Sequence, residues 1–358
     1  MKVLGIETSA DDTGIALIEA DGTFGDNFSM EILADGISSQ SIHTQYGGIF
    51  PAMAKKEHAK NLPILFENVL GSVEKAPADM IAVTVGPGLE PCLWTGITFA
   101  QELVKKWNVP VVATNHMEGH ILISLLRNEG AESYQLSAVS WPALVLLISG
   151  GHTELVLMKE FQSYVYVGRT RDDAVGEAFD KVARMLGLPY PGGPHISRLA
   201  EEARDSKLEA PFKLPRPMID SGDFDFSFAG LKTAVLRLVE AHPPAGGPLS
   251  DDFKKQIARE FENAAAEVLV GKTLRAVEEY GAQTIIVGGG VSANTHIKHR
   301  LAEALGADGT KLFISAPEFA TDNAIMIALA GYFHALKKEF VDIDSLRPDG
   351  DLMLLNAR

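Results

Sequence analysis

Val3-Leu4-Gly5-Ile6-Glu7-Thr8-Ser9-Ala10-Asp11-Asp12-Thr13-Gly14-Ile15-Ala16-Leu17-Ile18 sets two apolar runs on either side of a short polar bend. Much later the chain repeats the pattern in Leu144-Val145-Leu146-Leu147-Ile148-Ser149-Gly150-Gly151-His152-Thr153-Glu154-Leu155-Val156-Leu157. Each stretch is a β-hairpin by composition, with Gly, Ser, Thr or Asp at the bend. Two copies, opening at Val3 and at Leu144, predict a duplicated α/β unit facing itself across a cleft.

Outward from these hairpins, strand and helix patterns alternate. Residues 78–85 predict a strand that Gly86-Pro87-Gly88 turns, followed by a helix over 97–107 and a strand from Val109. Residues 251–279 predict a long helix, and Thr284 to Val287 a short buried strand broken by Gly288-Gly289-Gly290. Ser292 is placed to cap the helix after it. Such alternation indicates α/β layers. The clearest surface loop is residues 242–248.

At 358 residues the chain is long enough for about two domains. It is 46% apolar and 22% charged, a composition that can bury a sizeable core. Cys92 is the sole cysteine, which excludes a disulfide framework and a zinc site of several thiolates. Glu7 comes too early for a signal peptide, and runs such as Pro142 to Ile148 fall far short of the roughly 20 residues of a membrane span. A cytoplasmic protein with no membrane partner is expected. The net charge is −15, from 32 basic and 47 acidic residues. That balance disfavours a protein that coats nucleic acid, and leaves room for a local basic patch.

His116-Met117-Glu118-Gly119-His120 puts two imidazoles four apart, which is one face of a helix if the segment is helical. The pair can hold a metal only with a further ligand; otherwise it is a coincidence at a helix edge. Glu118 sits one place too late for H-E-x-x-H, so the general base of a metalloprotease is missing. His296 and His299, in a basic helix, read as solvated surface. The two hairpin bends and Gly288-Gly289-Gly290 are places where backbone amides can approach phosphates. Residues 172–186 form an amphipathic pattern through Val175, Phe179, Val182 and Leu186. On its polar face Glu177–Lys181 and Asp180–Arg184 are ordinary ion-pair spacings, or Asp180 meets a ribose diol. Tyr190-Pro191-Gly192-Gly193-Pro194 predicts a rigid loop. Asp322 is in the first place an N-cap for the apolar helix Ala324 to Leu336, and otherwise a third metal ligand.

Together these segments resemble the TsaD (Gcp/OSGEP) family of tRNA N6-adenosine threonylcarbamoyltransferases. The resemblance rests on Gly5-Ile6-Glu7-Thr8-Ser9, Gly86-Pro87-Gly88-Leu89, His116-x-Glu118-Gly119-His120 and Ser149-Gly150-Gly151-His152-Thr153. It continues through Gly176-Glu177-Ala178-Phe179-Asp180-Lys181, Tyr190 to Pro194, Asp225 to Thr233, Gly289 to Asn294 and Thr321-Asp322-Asn323. The Glu-Ala-Phe-Asp-Lys form is similar to the bacterial branch. The resemblance implies an actin/sugar-kinase/Hsp70-like fold. It divides the chain into an N-terminal domain of residues 1–113 with a C-terminal helix 335–358, and a second domain of 114–334 that carries most of the metal and nucleotide residues. It implies transfer of a threonylcarbamoyl group from threonylcarbamoyl-AMP to N6 of adenosine 37, in tRNAs reading codons that begin with A.

By the same resemblance His116, His120 and Asp322 bind one divalent metal, Fe2+ or Zn2+. Leu147, Ile148, Ser149, Gly150, Gly151, Asp180, Gly193 and Asn294 hold the adenylate, with backbone amides of Ser149 to Gly151 facing the phosphate or the developing oxyanion. Glu7, Asp11 and Asp12 are candidates to position the adenine amine or take its proton. TsaB and TsaE are the expected partners, with TsaC supplying the adenylate, and Lys55, Lys56 and Lys60 are candidate tRNA contacts. Two departures stand out. The family's Ser-Cys-Asp-Glu-Thr reads Ser9-Ala10-Asp11-Asp12-Thr13, which makes a thiol dispensable there, and its Pro-Glu reads Pro51-Ala52. An ATPase or kinase on the same fold and a non-catalytic scaffold subunit remain the rival readings.

Overall fold

The computed structural model describes residues 1–71, 77–130, 133–242, 248–306 and 309–354. They form two compact units: Met1–Ala138 with residues 315–354, and Val139–Ile314.

In the first unit β1 (Lys2–Glu7) and β2 (Asp12–Thr23) make the predicted hairpin, with Ile6 opposite Ile15 and Glu7 opposite Gly14. β3 (Asp26–Ser39) adds antiparallel to β2. α1 (Pro51–Leu70) leads to β4 (Met80–Gly86), which runs parallel to β1. α2 (Glu90–Trp107) leads to β5 (Val111–Asn115), parallel to β4, and α3 (His116–Ile123) follows without a break. β6 (Leu126–Gly130) and β7 (Ser133–Leu136) extend the sheet beyond β3, in the order β5-β4-β1-β2-β3-β7-β6. Every residue of β4 is buried, as expected of a strand lined on both faces.

The second unit opens with β8 (Ala143–Ile148), β9 (Thr153–Met158) and β10 (Tyr164–Arg169), again an antiparallel meander. α4 (Val175–Met185), α5 (Gly192–Asp205), α6 (Ala229–Ala241) and α7 (Asp251–Tyr280) precede β11 (Thr284–Gly288), α8 (Thr295–Leu305) and β12 (Lys311–Ile314). The order is β10-β9-β8-β11-β12, with β8, β11 and β12 parallel. This matches β3-β2-β1-β4-β5 strand for strand. The expected duplication is therefore present in strand order and direction, as an α/β fold of the actin, sugar-kinase and Hsp70 type.

The last helix, α9 (Ala324–Leu336), packs on the first sheet. Gly5 is what permits it, because a Cβ there would stand 2.2 Å from the backbone oxygen of Ala324. This long-range docking separates the observed units from the expected boundaries. They change at 138/139 and 314/315 instead of 113/114 and 334/335, so α3 and Asp322, and with them all three candidate metal ligands, lie in the first unit and not in the second as expected. No helix spans 335–354: α9 stops at Leu336 and only a short 3-10 turn, Ile343–Ser345, follows. Residues 355–358, and 243–247 of the expected loop, lie outside the described residues. The segment expected as a rigid loop ends early, because Gly192 already opens α5. Asn294, not Ser292, caps α8, accepting from the Ile297 amide.

Candidate metal centre

α3 is short, and all eight of its residues are buried. It starts where it does because the Asn115 side chain accepts hydrogen bonds from the Met117 and Glu118 amides, at 2.8 and 3.2 Å. The helix then presents His116 and His120 on one face, their rings edge to face with centroids 4.7 Å apart. At the other side of the unit's sequence, Asn323 caps α9 through the Met326 amide at 3.0 Å. The cap expected of Asp322 is thus made by its neighbour. Asp322 is left to turn its carboxylate to the histidines, with Oδ1 3.3 Å from His116 Nε2 and 3.1 Å from His120 Nε2.

The three ligand atoms lie within 4.8 Å of one another. Ligands roughly 2.1 Å from one cation, at angles between a right angle and the tetrahedral angle, stand about 3.0–3.4 Å apart. The two carboxylate–imidazole separations fall in that range. Two imidazoles and one carboxylate also match the donor chemistry of a divalent transition metal and leave coordination positions open. The residues fit a cation.

Behind His116 stands Glu7, fully buried at the end of β1. Its carboxylate accepts from the Ser9 amide at 2.5 Å, the Thr84 hydroxyl at 2.6 Å and His116 Nδ1 at 3.0 Å. Such a partner fixes the ring orientation and turns Nε2 toward the metal position. Burial disfavours charge on both groups, yet each carries the other. The Glu7 and Asp322 carboxylates hold His116 well above its usual range, and His116 holds Glu7 below its own. Asp322 is likewise depressed by His116 and His120 against the effect of burial. In Glu7→Gln the amide turns a donor toward groups that themselves donate. Metal affinity is expected to fall about 10–100-fold; a chelator-competition titration measures it, and unchanged affinity would rule out the bracing role.

Asp11 sits on the bend between β1 and β2 and Asp12 opens β2, both half-buried. Burial pushes the Asp12 carboxyl up to about 6, with Asp322 and Glu7 adding to the effect. The bend is pinned by a histidine that no sequence pattern singled out. His58 Nε2 lies 3.0 Å from the Ala10 carbonyl, which only accepts, so Nε2 carries the proton. Nδ1 then accepts from the Thr13 hydroxyl at 2.8 Å, and burial keeps the ring neutral.

In the second unit the expected adenylate residues lie on or just after β8, on α4, at the start of α5 and before α8, each held by its own contacts. Ser149 accepts from the Gly176 amide at 3.2 Å, and a Cβ on Gly176 would stand 2.6 Å from the Ser149 oxygen. Asp180 accepts from the Gly192 amide at 2.6 Å and from that of Gly193, so it fastens the start of α5. Glu177–Lys181 forms the expected ion pair at 2.8 Å. Leu147 and Ile148 are fully buried strand residues. Within the β8–β9 turn the Ser149 amide donates to the His152 carbonyl and the Gly151 amide to the Ser149 hydroxyl. The Asn294 amide nitrogen donates to Ser197 at 2.9 Å and to Glu262 at 2.7 Å. Glu262 in turn pairs with Arg204 at 2.7 Å, an anchor that the sequence did not reveal. His296 is not solvated as expected: its Nε2 is buried and burial lowers its pKa to about 4. His299 is exposed.

The sequence matches the family described as TsaD, tRNA N6-adenosine threonylcarbamoyltransferase, over residues 31–329. A protein of that name from Chromobacterium violaceum is 40% identical over all of both chains. Another from Thermosipho africanus is 40% identical over 96% of this chain and 97% of its own. A third, from Aromatoleum aromaticum, is 41% identical over 94% and 92% respectively. Among solved structures, full-length HypF superposes with a TM-score of 0.55 at 12% identity, over 94% of this chain and 46% of that one, a likeness of fold. With the histidine pair, the distant aspartate and both hairpins in their places, the chain belongs to the TsaD family of tRNA N6-adenosine threonylcarbamoyltransferases.

Proposed function

We propose that the chain transfers the threonylcarbamoyl group from threonylcarbamoyl-AMP to N6 of adenosine 37, in tRNAs that read codons beginning with A. The bond from N6 to the carbamoyl carbon forms, the bond from that carbon to the phosphate oxygen breaks, AMP leaves, and N6 loses one proton. The observation that carries this reading is the convergence of His116, His120 and Asp322, braced by Glu7, in a chain related to these transferases over its full length. Kinase-like and scaffold roles are not favoured, since the relatives carry the transferase name.

His116, His120 and Asp322 would hold one divalent cation, Fe2+ or Zn2+. When bound, such a cation supplies Lewis-acid polarisation and a template for substrate oxygens. Glu7 is occupied by three donors and serves as the brace. Asp12, with its pKa near 6, is the better proton acceptor, because a general base works best when its pKa lies close to the working pH. Asp11 shares the bend and helps to place the amine. In the second unit the turn of Ser149, Gly150 and Gly151 would border the adenylate phosphate, with the Ser149 and Gly151 amides bonded inside the turn and not directed at the phosphate as expected. The buried Leu147 and Ile148 would contribute through backbone alone, and Asp180, Gly193 and Asn294 would shape the nucleoside position. TsaB and TsaE are the proposed partners, TsaC the source of the adenylate, and the cytoplasm the location. Among the described residues no helix is long and apolar enough to cross a membrane.

Incubating the chain, its partners and an unmodified tRNA with threonylcarbamoyl-AMP, then analysing the nucleosides by mass, tests the activity. Threonylcarbamoyladenosine is the expected product, and ATP turnover without any modified nucleoside would refute the reading. Lys55, Lys56 and Lys60 are exposed on α1, and among the described residues only Lys60 of the three has an ion pair, to Glu57 at 3.6 Å. Reversing all three to Glu is expected to weaken tRNA binding about tenfold at moderate salt and to leave adenylate binding unchanged. Filter binding at two salt concentrations checks it; unaltered tRNA affinity would remove α1 from the tRNA surface.

A further inference from the structure

Glu118 lies two residues from each histidine ligand, about 200° round the helix from both, and so faces away from the metal position. It is a buried carboxylate and needs a partner of opposite charge. His334, at the carboxyl end of α9, supplies it, with Nε2 2.6 Å from Glu118 Oε2. The other ring nitrogen, Nδ1, meets Glu339 in the turn that follows α9. Ionised carboxylates only accept hydrogen bonds, so both ring nitrogens carry protons and His334 is an imidazolium. A cation in the last turn of a helix also complements the helix dipole. Burial opposes this charge, but Glu118 and Glu339 outweigh it and push the His334 pKa up to about 9.

The bridge joins the helix that carries both histidines to the helix that follows Asp322. α3 holds His116 and His120, and α9 begins two residues after Asp322. The helices touch at Gly119, where a Cβ would stand 2.9 Å from Met326 Cγ. Any slide of α9 along α3 therefore moves Asp322 relative to the histidines, and metal sites tolerate only about 0.5 Å of such error. We propose that His334 is a positioning residue: held between Glu118 and Glu339, it locks α9 against α3 and sets the spacing of Asp322 from the histidine pair. This rests on the metal-centre reading above.

The test is titration of Co2+ into the metal-free full-length chain, followed by its visible absorption bands, for wild type, His334→Gln, His334→Arg and Glu339→Gln. Gln cannot supply the charge, whereas Arg can still donate to both carboxylates. His334→Gln is expected to lose about tenfold in affinity with displaced absorption bands. His334→Arg should stay within about threefold of wild type and keep its spectrum, and Glu339→Gln, which leaves Glu118 paired, should fall between. Should His334→Gln fail to fold, the other two variants decide. Wild-type affinity and spectrum in His334→Gln or, failing that, in Glu339→Gln would overturn the proposal, as would an Arg variant with displaced bands and affinity lost about tenfold. A wild-type chain that takes up no Co2+ would overturn the metal centre itself.

Discussion

His116→Ala is expected to abolish cation retention and threonylcarbamoyl transfer together while the chain remains folded. His116 is the hub of the centre, with Nε2 toward Asp322 and Nδ1 on Glu7. Its loss leaves two ligands, too few to hold a catalytic metal, and removes the positive partner of the buried Glu7 and the half-buried Asp322 carboxylates. The folding cost is bounded at about 3–5 kcal/mol, the range for breaking a buried pair, and Glu7 keeps its hydrogen bonds from Ser9 and Thr84. α3 itself persists, because the Asn115 cap and the burial of Met117, Ile121 and Leu122 do not involve the ring. Metal content per chain and nucleoside analysis should fall together, with transfer reduced on the order of 10³-fold. Wild-type turnover in the folded variant would remove the metal role. A pH dependence accompanies this. In the cation-free chain His116 holds a proton well above its ordinary pKa, so an arriving cation displaces that proton. Metal affinity therefore weakens as pH falls, by up to about tenfold per unit, and a pH-independent affinity would contradict the arrangement.

Asp12→Asn is expected to separate chemistry from metal binding. The carboxyl is near Asp322 and Glu7 without ligating with them, and both neighbours add to the burial that raises it. Asn keeps the size of the side chain and lacks the capacity to take a proton. Transfer should drop about 10²–10⁴-fold, the usual contribution of a general base. Bound metal and the KM for the adenylate should stay close to wild type, a pattern His116→Ala cannot give. His58 keeps the bend in place through Ala10 and Thr13, so the loss would not come from a collapsed turn. Retained kcat, or loss of metal with it, would refute the assignment.

Both hairpins were legible because their signal is local: apolar runs meeting at a polar bend fix strand and turn within about sixteen residues. The histidine spacing was legible for the same reason, since four residues make one helical face. What the sequence hid depends on distant packing. The boundary between the units could not be read, because the return of α9 to the first sheet rests on long-range close approaches such as Gly5 and Gly14 under Ala324 and Gly331 against Ala82. Asp322 looked like a cap because Asp and Asn are both good caps and adjacent, and backbone geometry chose Asn323. His296 looked solvated among basic neighbours, yet its Nε2 is buried. Thr84, His58 and Glu262 had no pattern to reveal them, since each acts on a residue more than thirty positions away.

Crystals of the metal-loaded chain, measured on either side of the iron and zinc absorption edges, give the most direct answer. The expected result is one anomalous peak about 2.1 Å from His116 Nε2, His120 Nε2 and an Asp322 carboxylate oxygen. A fully active preparation whose only peak lies elsewhere, or that shows none, would contradict it.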